Sequence, residues 1–282
     1  MILGLIVKAE YHWGYWIRVP FSSKLQLSFP LPPPTTLLGA LTSGLVKEGF
    51  LRDLRGRKLF GEMFTISVRV GRKEITDFRS PASLLDDTLI AASAALSDGR
   101  YAFMMEDVNK YVTLLFQEKI KGRRYLPKYR GGAIYCGKVY YPSGPIDMAY
   151  LFDLAKLENV IDGDPAHALE VAAWDISRIG SKESLATVKR VSCVELNESD
   201  VGRGVVETMF YFPSRAGRVR EGSFYTEVFW RRGWGRHDPP IFEEYVIPGS
   251  RSPVSTSEIT VEAEAYINLG GGITLVFPAF GE

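Results

Sequence analysis

The N-terminal residues follow the alternating pattern of a long β-strand. Over residues 2–19, alternation places Tyr11, Trp13, Tyr15 and Ile17 on one face. A secretory signal would need a basic start and a longer apolar stretch, whereas this segment meets a lysine at Lys8. No apolar run in the chain approaches the ~18 residues that a membrane span requires. We therefore expect a soluble, cytoplasmic protein with no membrane partner.

A proline-rich segment leads into the first predicted helix. The prolines between residues 30 and 34 favour an extended polyproline II chain, and Thr35 or Thr36 is placed to cap the helix that follows. The apolar positions of one helix face are Leu37, Leu38, Leu41, Leu45 and Val46. Gly39 and Ser43, four residues apart, leave room for a close neighbour on another face. Gly44 is expected to support the sheet rather than to lie near a ligand.

Later segments alternate between strand-like and helix-like patterns. Strands are predicted at 63–70, through most of 134–154, and at 184–195. Helices are predicted at 104–119 and from Asp164-Pro165 to about residue 176, and a loop or hairpin tip at 121–133. After residue 202 the chain is almost entirely β-like, with glycine and proline turns. This order predicts an α+β fold with a ferredoxin-like domain over residues 1–200 and a β-rich region over residues 201–282.

Composition narrows the class of protein. The chain has 282 residues, of which 46% are hydrophobic and 24% are charged, so bulk disorder and fibrous folds are excluded. The two cysteines, Cys136 and Cys193, are too few for a disulfide framework or a cysteine-rich zinc site. We interpret them as reduced structural thiols.

Charge is unevenly distributed along the sequence. The net charge is only +1, yet residues 237–282 contain seven acids and one base, which leaves the rest of the chain at +7. Six bases without an intervening acid lie between residues 119 and 130, interleaved with Tyr125 and Tyr129. Cations that hold phosphates and rings that stack on bases suit single-stranded nucleic acid, although a solvated surface is the alternative. The acidic end is expected to face away from RNA.

Several patterns resemble catalytic motifs but lack a required residue or structural context. Residues 132–138 match the spacing of a phosphate-binding loop, but Val139 replaces the metal-binding hydroxyl and a strand follows where a helix is required. His237-Asp238 has no accompanying ligand set, and no Gly-x-Ser-x-Gly elbow occurs. His12 could act as a general base in metal-independent RNA cleavage, although a hydrogen-bonding strand histidine is the commoner case. We expect no metal and no cofactor.

Two segments resemble a known family. Residues 29–41, Phe-Pro-Leu-Pro-Pro-Pro-Thr-Thr-Leu-Leu-Gly-Ala-Leu, are similar to the N-terminal signature of the fifth CRISPR-associated family, the Cas-five family of the RAMP superfamily. The archaeal type I-A branch is the closest likeness, and residues 11–16 fit it too. Residues 178–185, Arg-Ile-Gly-Ser-Lys-Glu-Ser-Leu, resemble the turn before the last strand of that family's ferredoxin-like domain.

The resemblance implies a non-catalytic subunit of Cascade, the RNA-guided surveillance complex of antiviral defence. Such a subunit would cap the 5′ handle of crRNA and contact the Cas-seven-type backbone subunit and other Cascade subunits. It would also carry a β-hairpin thumb, which we expect as a basic insertion around residues 119–141. The candidate RNA-binding residues are Lys119, Lys121, Arg123, Arg124, Lys128, Tyr129, Arg130, Ser181, Lys182, Gly270, Gly271 and Gly272.

Two alternative functions remain open at this point. One branch of the family cuts precursor crRNA, so a metal-independent endoribonuclease using His12 is the first alternative. A structural assembly subunit with little RNA contact is the second.

Overall fold

The chain folds as a mixed, strand-rich α+β protein, as expected. The computed structural model describes residues 1–20, 25–52, 64–70, 73–112, 132–232 and 240–279. The helices are α1 (Pro34–Lys47), α2 (Ala82–Asp86), α3 (Leu154–Leu157) and α4 (Pro165–Trp174). The strands are β1 (Ile2–Tyr11), β2 (Gly14–Tyr15), β3 (Leu25–Gln26), β4 (Phe64–Val70), β5 (Lys73–Arg79), β6 (Leu89–Leu96), β7 (Phe103–Val112), β8 (Gly132–Tyr140), β9 (Gly144–Asp153), β10 (Ala186–Leu196), β11 (Gly202–Thr208), β12 (Phe212–Pro213), β13 (Gly217–Glu221), β14 (Phe224–Arg232), β15 (Ile241–Pro248), β16 (Ser250–Arg251), β17 (Val254–Ser255), β18 (Ile259–Asn268) and β19 (Thr274–Phe277).

A four-stranded antiparallel sheet organises the molecule. Its strand order is β10–β1–β9–β6, with α1 in the chain between β1 and β6 and α4 between β9 and β10. Alternate residues of β1 face opposite sides of this sheet. Leu3, Leu5 and Val7 join the core that contains α1 and α4, whereas Ile2 joins a second core on the other face. Both faces of the central strand are therefore buried near its start.

The polyproline segment positions the start of α1. Pro33 occupies the position before the helix in an extended conformation, and Pro34 is the first helical residue. The predicted threonine cap is therefore wrong, because the prolines already fix the geometry of entry and Thr35 bonds elsewhere. The hydroxyls of Tyr15 and Tyr211 donate to the carbonyl oxygens of Pro30 at 2.5 Å and Pro32 at 2.7 Å. These bonds satisfy two buried backbone carbonyl groups of the proline segment.

The close approach of α1 to a neighbour occurs at Gly44. A Cβ atom added there would lie 2.3 Å from the carbonyl oxygen of Ala172 in α4. Gly39 has no heavy atom within 4 Å of the equivalent position, so the close neighbour expected beside Gly39 and Ser43 is absent from the described residues. Gly44 thus packs against helix α4 rather than, as predicted, directly against the sheet, and the described residues leave the Gly39 face open.

The segment predicted as a helix at 104–119 instead begins with strand β7. This strand pairs with β8 in antiparallel register from Phe103↔Tyr140 to Val112↔Gly132. Met104 packs towards the core while Phe103 and Met105 are exposed, so apolar residues on both faces hide the alternation of the strand. Residues 113–131, with the basic run, lie outside the described residues.

The first strand also ends earlier than predicted. β1 stops at Tyr11, and the chain then turns into the short strand β2, which pairs with β8. Gly14 allows this turn because its φ is +137° and an added Cβ atom would lie 2.0 Å from the carbonyl oxygen of Val139. Residues 2–19 are thus shared between two sheets.

The C-terminal strands pack against the outer face of the first sheet. They form one sheet in the order β11–β18–β13, with β19 on β18, and another in the order β12–β15–β14. Ile267, Leu269 and Phe277 share a buried cluster with Ile2 and Leu151 of the first sheet. The predicted boundary near residue 200 therefore coincides with a continuous hydrophobic contact, and the division into two domains stays a prediction.

Several arginines of the C-terminal region form ion pairs with nearby carboxylates. The ion pairs are Arg215–Glu243 at 2.8 Å, Arg231–Glu243 at 3.2 Å, Arg251–Glu227 at 3.1 Å, and Arg220–Glu262. Antiparallel pairing brings Arg231 near Glu243 and Arg220 near Glu262, so two acids of residues 237–282 have basic partners from β13 and β14. In the part of the chain that the structure describes, no helix is long and apolar enough to span a membrane.

Candidate nucleic-acid interface

A wide groove opens beside the exposed face of α1. Its volume is about 1460 Å³, above the ~300–1,000 Å³ of typical small-molecule pockets. Residues from distant parts of the chain line it: Trp16, Ile17, Arg18, Pro20, Gln26, Phe29, Pro33, Thr35, Thr36, Gly39, Ala40, Ser43, Lys47, Ser80, Cys136, Asp175, Ile176, Ser177, Arg178, Gly180, Ser181, Lys182, Glu183, Leu185 and Trp230. The size and open form suit an extended ligand better than a compact one.

One wall of the groove is a helix face with short side chains. Thr36, Gly39, Ala40 and Ser43 are spaced by three or four residues and so lie on the same side of α1. The leucines of α1 occupy its opposite, buried side. Because no described residue of another element has a heavy atom within 4 Å of the Cβ position of Gly39, a ligand can approach the helix backbone closely there.

The opposite wall is the turn over residues 178–185. The amide of Ser181 donates to the carbonyl oxygen of Trp16 at 3.0 Å, and the amide of Trp16 donates to the hydroxyl of Ser184 at 2.9 Å. Gly180 has a φ of +115°, and an added Cβ atom would lie 2.8 Å from a side-chain carbon of Ile17. The turn is therefore fastened to the segment after β1, and it holds Lys182 at the rim.

Cations outnumber acids among the residues that line the groove. Lys47 pairs with Asp175 at 2.8 Å, and Lys182 lies 4.0 Å from Glu183 with a side chain that is 80% exposed. Arg178 is exposed and makes no ion pair within the described ranges. Arg178 and Lys182 are therefore the groove cations most able to meet a phosphate.

Two tryptophans border the groove and can offer aromatic contact. The indole nitrogen of Trp16 is buried and finds no hydrogen-bond partner among the described residues. Trp230 comes from β14, and its carbonyl oxygen accepts a hydrogen bond of 3.1 Å from the hydroxyl of Thr35. This bond ties the C-terminal hairpin to the start of α1, so the groove needs both halves of the chain.

A buried tyrosine, Tyr15, precedes Trp16 in the chain and bonds to the proline segment. Burial raises the pKa of Tyr15 well above its ordinary value, with smaller contributions from neighbouring tyrosines. Its hydroxyl therefore stays protonated and remains the donor to Pro30. The ring of Tyr15 lies 4.6 Å from that of Tyr11, and both are fully buried.

The structure places only some of the candidate RNA-binding residues together. Ser181 and Lys182 line the groove. Gly270, Gly271 and Gly272 form the exposed turn between β18 and β19, each with a positive φ, and they do not line it. The remaining seven candidates, Lys119, Lys121, Arg123, Arg124, Lys128, Tyr129 and Arg130, lie outside the described residues.

His12 lies in an exposed position after β1. Its Nε2 atom is 2.8 Å from the hydroxyl of Thr187 in β10. His12 therefore makes a side-chain contact with a neighbouring strand, and it does not line the groove. Within the described ranges, no three His, Cys, Asp or Glu side chains gather in a way that could hold a metal ion.

Comparison with known proteins decides the family. A protein of Saccharolobus solfataricus named CRISPR-associated protein Cas5 3 is 31% identical over 266 residues, which cover 93% of this chain and 94% of the relative. The CRISPR system aCascade subunit Cas5 1 of the same organism is 32% identical with the same coverage. The chain belongs to the Cas5 family. This confirms the predicted family, and the expected archaeal origin fits these relatives.

A solved structure shares the fold of this Cas5-family chain. It is described as a CRISPR protein from Archaeoglobus fulgidus, and the alignment covers 98% of this chain and 99% of that protein. The TM-score is 0.56 at 20% sequence identity. No family model matches the chain.

The two segments that resemble the family in sequence meet in the groove. Pro33, Thr35 and Gly39 come from the first segment, and Ser181 and Lys182 come from the second. Among the other lining residues, Trp16 and Arg178 lie within residues 11–16 and 178–185, which resemble the family, but no sequence pattern marked them as site residues. The position of Trp230 in the groove could not be predicted, because it depends on how β14 docks against α1.

Proposed function

We propose that this Cas5-family chain is a non-catalytic subunit of a Cascade complex that binds the 5′ handle of crRNA in the groove beside α1. One relative carries the name of an aCascade subunit, which supports membership of such a complex. The observation that carries the proposal is the convergence of residues 29–41 and 178–185 on one groove.

The physical character of the groove supports RNA as the ligand. It combines exposed cations, several hydroxyls and two tryptophans along an open channel. Cations hold phosphates, hydroxyls bond to sugars and phosphates, and aromatic rings stack on bases. The short side chains at Gly39 and Ser43 leave space for a polynucleotide chain against the helix.

The architecture is compatible with the rest of the proposal. The strand order β10–β1–β9–β6, with α1 and α4 as connections, supports the proposal of a ferredoxin-like unit. The β7–β8 hairpin leads to residues 113–131, and we propose that this insertion is the basic thumb that grips RNA. Contact with a Cas-seven-type backbone subunit is part of the same proposal.

The test fills the groove without removing a charge. Gly39→Leu adds a side chain to the groove face of α1, where an added Cβ atom would have no neighbour within 4 Å in the part of the chain that the structure describes. We expect the affinity for the protein's own repeat RNA, measured by fluorescence anisotropy, to fall by about tenfold or more, because close backbone approach is blocked. Thermal unfolding should show that the variant remains folded.

A matched control is Ala155→Leu in α3, which adds the same side chain at an exposed helical position that does not line the groove. This variant should bind RNA like the unmodified chain. Equal affinities for all three proteins would place RNA elsewhere and disprove the groove. Absence of RNA binding by the unmodified chain would favour the assembly-subunit alternative.

A further inference from the structure

An aromatic strip, formed by Trp230 and Phe242, continues from the groove onto the hairpin of β14 and β15. Trp230 lines the groove, and its backbone is held by Thr35 at the start of α1. Its indole nitrogen donates to the carbonyl oxygen of Arg232, which restricts the ring. Trp230 is thus a fixed edge of the groove.

The register of the hairpin extends this edge outward. β14 and β15 are antiparallel, and Trp230 lies directly opposite Phe242. Directly opposite residues in an antiparallel pair share one face, with Cβ atoms ~4.5–5.5 Å apart. Phe242 is 42% exposed and Val228, two residues from Trp230 on the same face, is 50% exposed. An apolar surface therefore begins in the groove wall and ends in solvent.

We infer that Trp230 and Phe242 form a stacking surface for nucleobases of the RNA strand where it leaves the groove. The inference rests on the proposed function and adds a second part to the binding surface. Aromatic side chains stack on bases of any identity, so this contact would contribute affinity with little sequence preference. Continuity with the groove is what favours RNA over a protein partner at this surface.

Charge near the strip indicates stacking rather than phosphate contact. The guanidinium of Arg232 is held by Asp86 at 2.5 Å and Asp87 at 2.6 Å. Arg231 pairs with Glu243 at 3.2 Å. Since both arginines already have carboxylate partners, they are poorly placed to release counterions from RNA. Loss of the strip should therefore lower the affinity without changing its dependence on salt.

The experiment separates ring stacking from simple hydrophobic contact. Phe242→Leu keeps an apolar side chain but removes the ring, and Phe242→Tyr keeps the ring. We expect Phe242→Leu to weaken binding of single-stranded repeat RNA by between about fivefold and 150-fold, the effect of losing one stacked base. Phe242→Tyr should stay within about twofold of the unmodified chain, as a surface substitution without loss of stacking.

Phe224→Leu provides a matched control on the same hairpin. Phe224 is 47% exposed and lies six residues before Trp230 on β14, about 20 Å away at ~3.3 Å per residue. The Phe224→Leu variant should bind RNA with unchanged affinity. The slope of log K against log salt should be the same for all of these variants.

Each other result overturns the inference. If the unmodified chain binds RNA and Phe242→Leu binds equally well, the strip does not contact RNA although the groove proposal survives. If Phe242→Leu binds RNA normally but fails to enter the complex co-expressed with its partner subunits, the strip is a protein-docking surface instead. If the unmodified chain does not bind RNA, the proposed function fails first.

Discussion

The hydroxyl of Tyr211 donates a hydrogen bond of 2.7 Å to the carbonyl oxygen of Pro32, across 179 residues of the chain. Tyr211 also packs edge-on against Phe229 at 5.3 Å and Tyr245 at 5.7 Å between ring centroids. A C-terminal aromatic cluster thereby fixes the polyproline segment that begins α1. Because α1 is one wall of the groove, the C-terminal region helps to shape the proposed RNA site.

The Tyr211–Pro32 bond can be tested by removing one oxygen atom. Tyr211→Phe keeps the ring contacts but leaves a buried carbonyl without its donor, which typically costs about 1–3 kcal/mol. We expect the free energy of unfolding in urea to fall by that amount. Tyr140→Phe, at a side chain that is 46% exposed, should change it by less than about 0.5 kcal/mol. Equal effects of both variants would remove the proposed role of this bond.

Buried tyrosines predict a sharp loss of stability at alkaline pH. Burial raises the pKa of Tyr11, Tyr15, Tyr150 and Tyr211 in the folded state. Unfolded tyrosines ionise near pH ~10, so the stability they provide is fully present below that pH and is lost as pH rises above it. Each contributes a slope of up to about 1.4 kcal/mol per pH unit.

Urea unfolding at a series of pH values checks this expectation. Tyr150→Phe should reduce the slope of the unfolding free energy against pH by the contribution of one tyrosine. Ionisation of all tyrosines near pH ~10 with no loss of folded structure would contradict it.

The strands and helices of the first sheet were largely predictable because their patterns are local. α1, α4 and β10 show apolar periodicity in sequence and were expected within a few residues, whereas the strand predicted over residues 2–19 ends at Tyr11. β7 was not, because Phe103 and Met105 are apolar but exposed, and its partner β8 lies about thirty residues further on. The predicted threonine cap was wrong for a similar reason. The hydroxyl of Thr35 donates to the carbonyl oxygen of Trp230, a partner that is distant in the sequence.

The candidate site was predictable only in part. Ser181 and Lys182 came from a family resemblance, and the structure places them in the groove. Their meeting with α1 depends on the fastening of residues 178–185 to Trp16, which no local pattern reveals. The sequence could not show that Glu243 lies beside Arg215 and Arg231, because these contacts depend on how distant segments pack; the orientation of the acidic segment relative to RNA stays a prediction.

Two glycines of α1 should respond to the same substitution in opposite directions. Gly44→Ala forces a methyl group against the carbonyl oxygen of Ala172, and overpacking of this kind costs about 1–3 kcal/mol. Gly39→Ala meets open space and should stabilise the helix by up to ~1 kcal/mol through helix propensity. Thermal unfolding of the two variants measures both effects, and destabilisation by Gly39→Ala would show that the groove face is packed in solution.

The isolated chain should not cleave RNA. His12 is hydrogen-bonded to Thr187 and lies outside the groove, so it has no evident access to RNA bound there. Incubation with its own repeat RNA, with and without magnesium, should leave the RNA intact on a denaturing gel. Specific cleavage that His12→Ala abolishes would instead support the endoribonuclease alternative.

The salt dependence of RNA affinity can show how many phosphate contacts come from the groove and how many from the basic run at residues 119–130. Each phosphate contact on single-stranded RNA contributes a slope of about −0.7 to log K against log salt. Arg178→Ala with Lys182→Ala should flatten the slope by up to ~1.4, because both cations are exposed and Lys182 has only a distant carboxylate neighbour, Glu183 at 4.0 Å. Lys47→Ala is the control, since Lys47 is already neutralised by Asp175 at 2.8 Å.

The basic run makes a separate and larger contribution if it forms the RNA-gripping thumb. Replacing Arg123, Arg124, Lys128 and Arg130 with alanine should flatten the slope by about two to three if all four meet phosphates. The two sets of variants should act additively, because groove and thumb would hold different phosphates. An unchanged slope after the fourfold change would show that the run is a solvated loop, and an unchanged slope after the groove change would show that Arg178 and Lys182 do not meet phosphates.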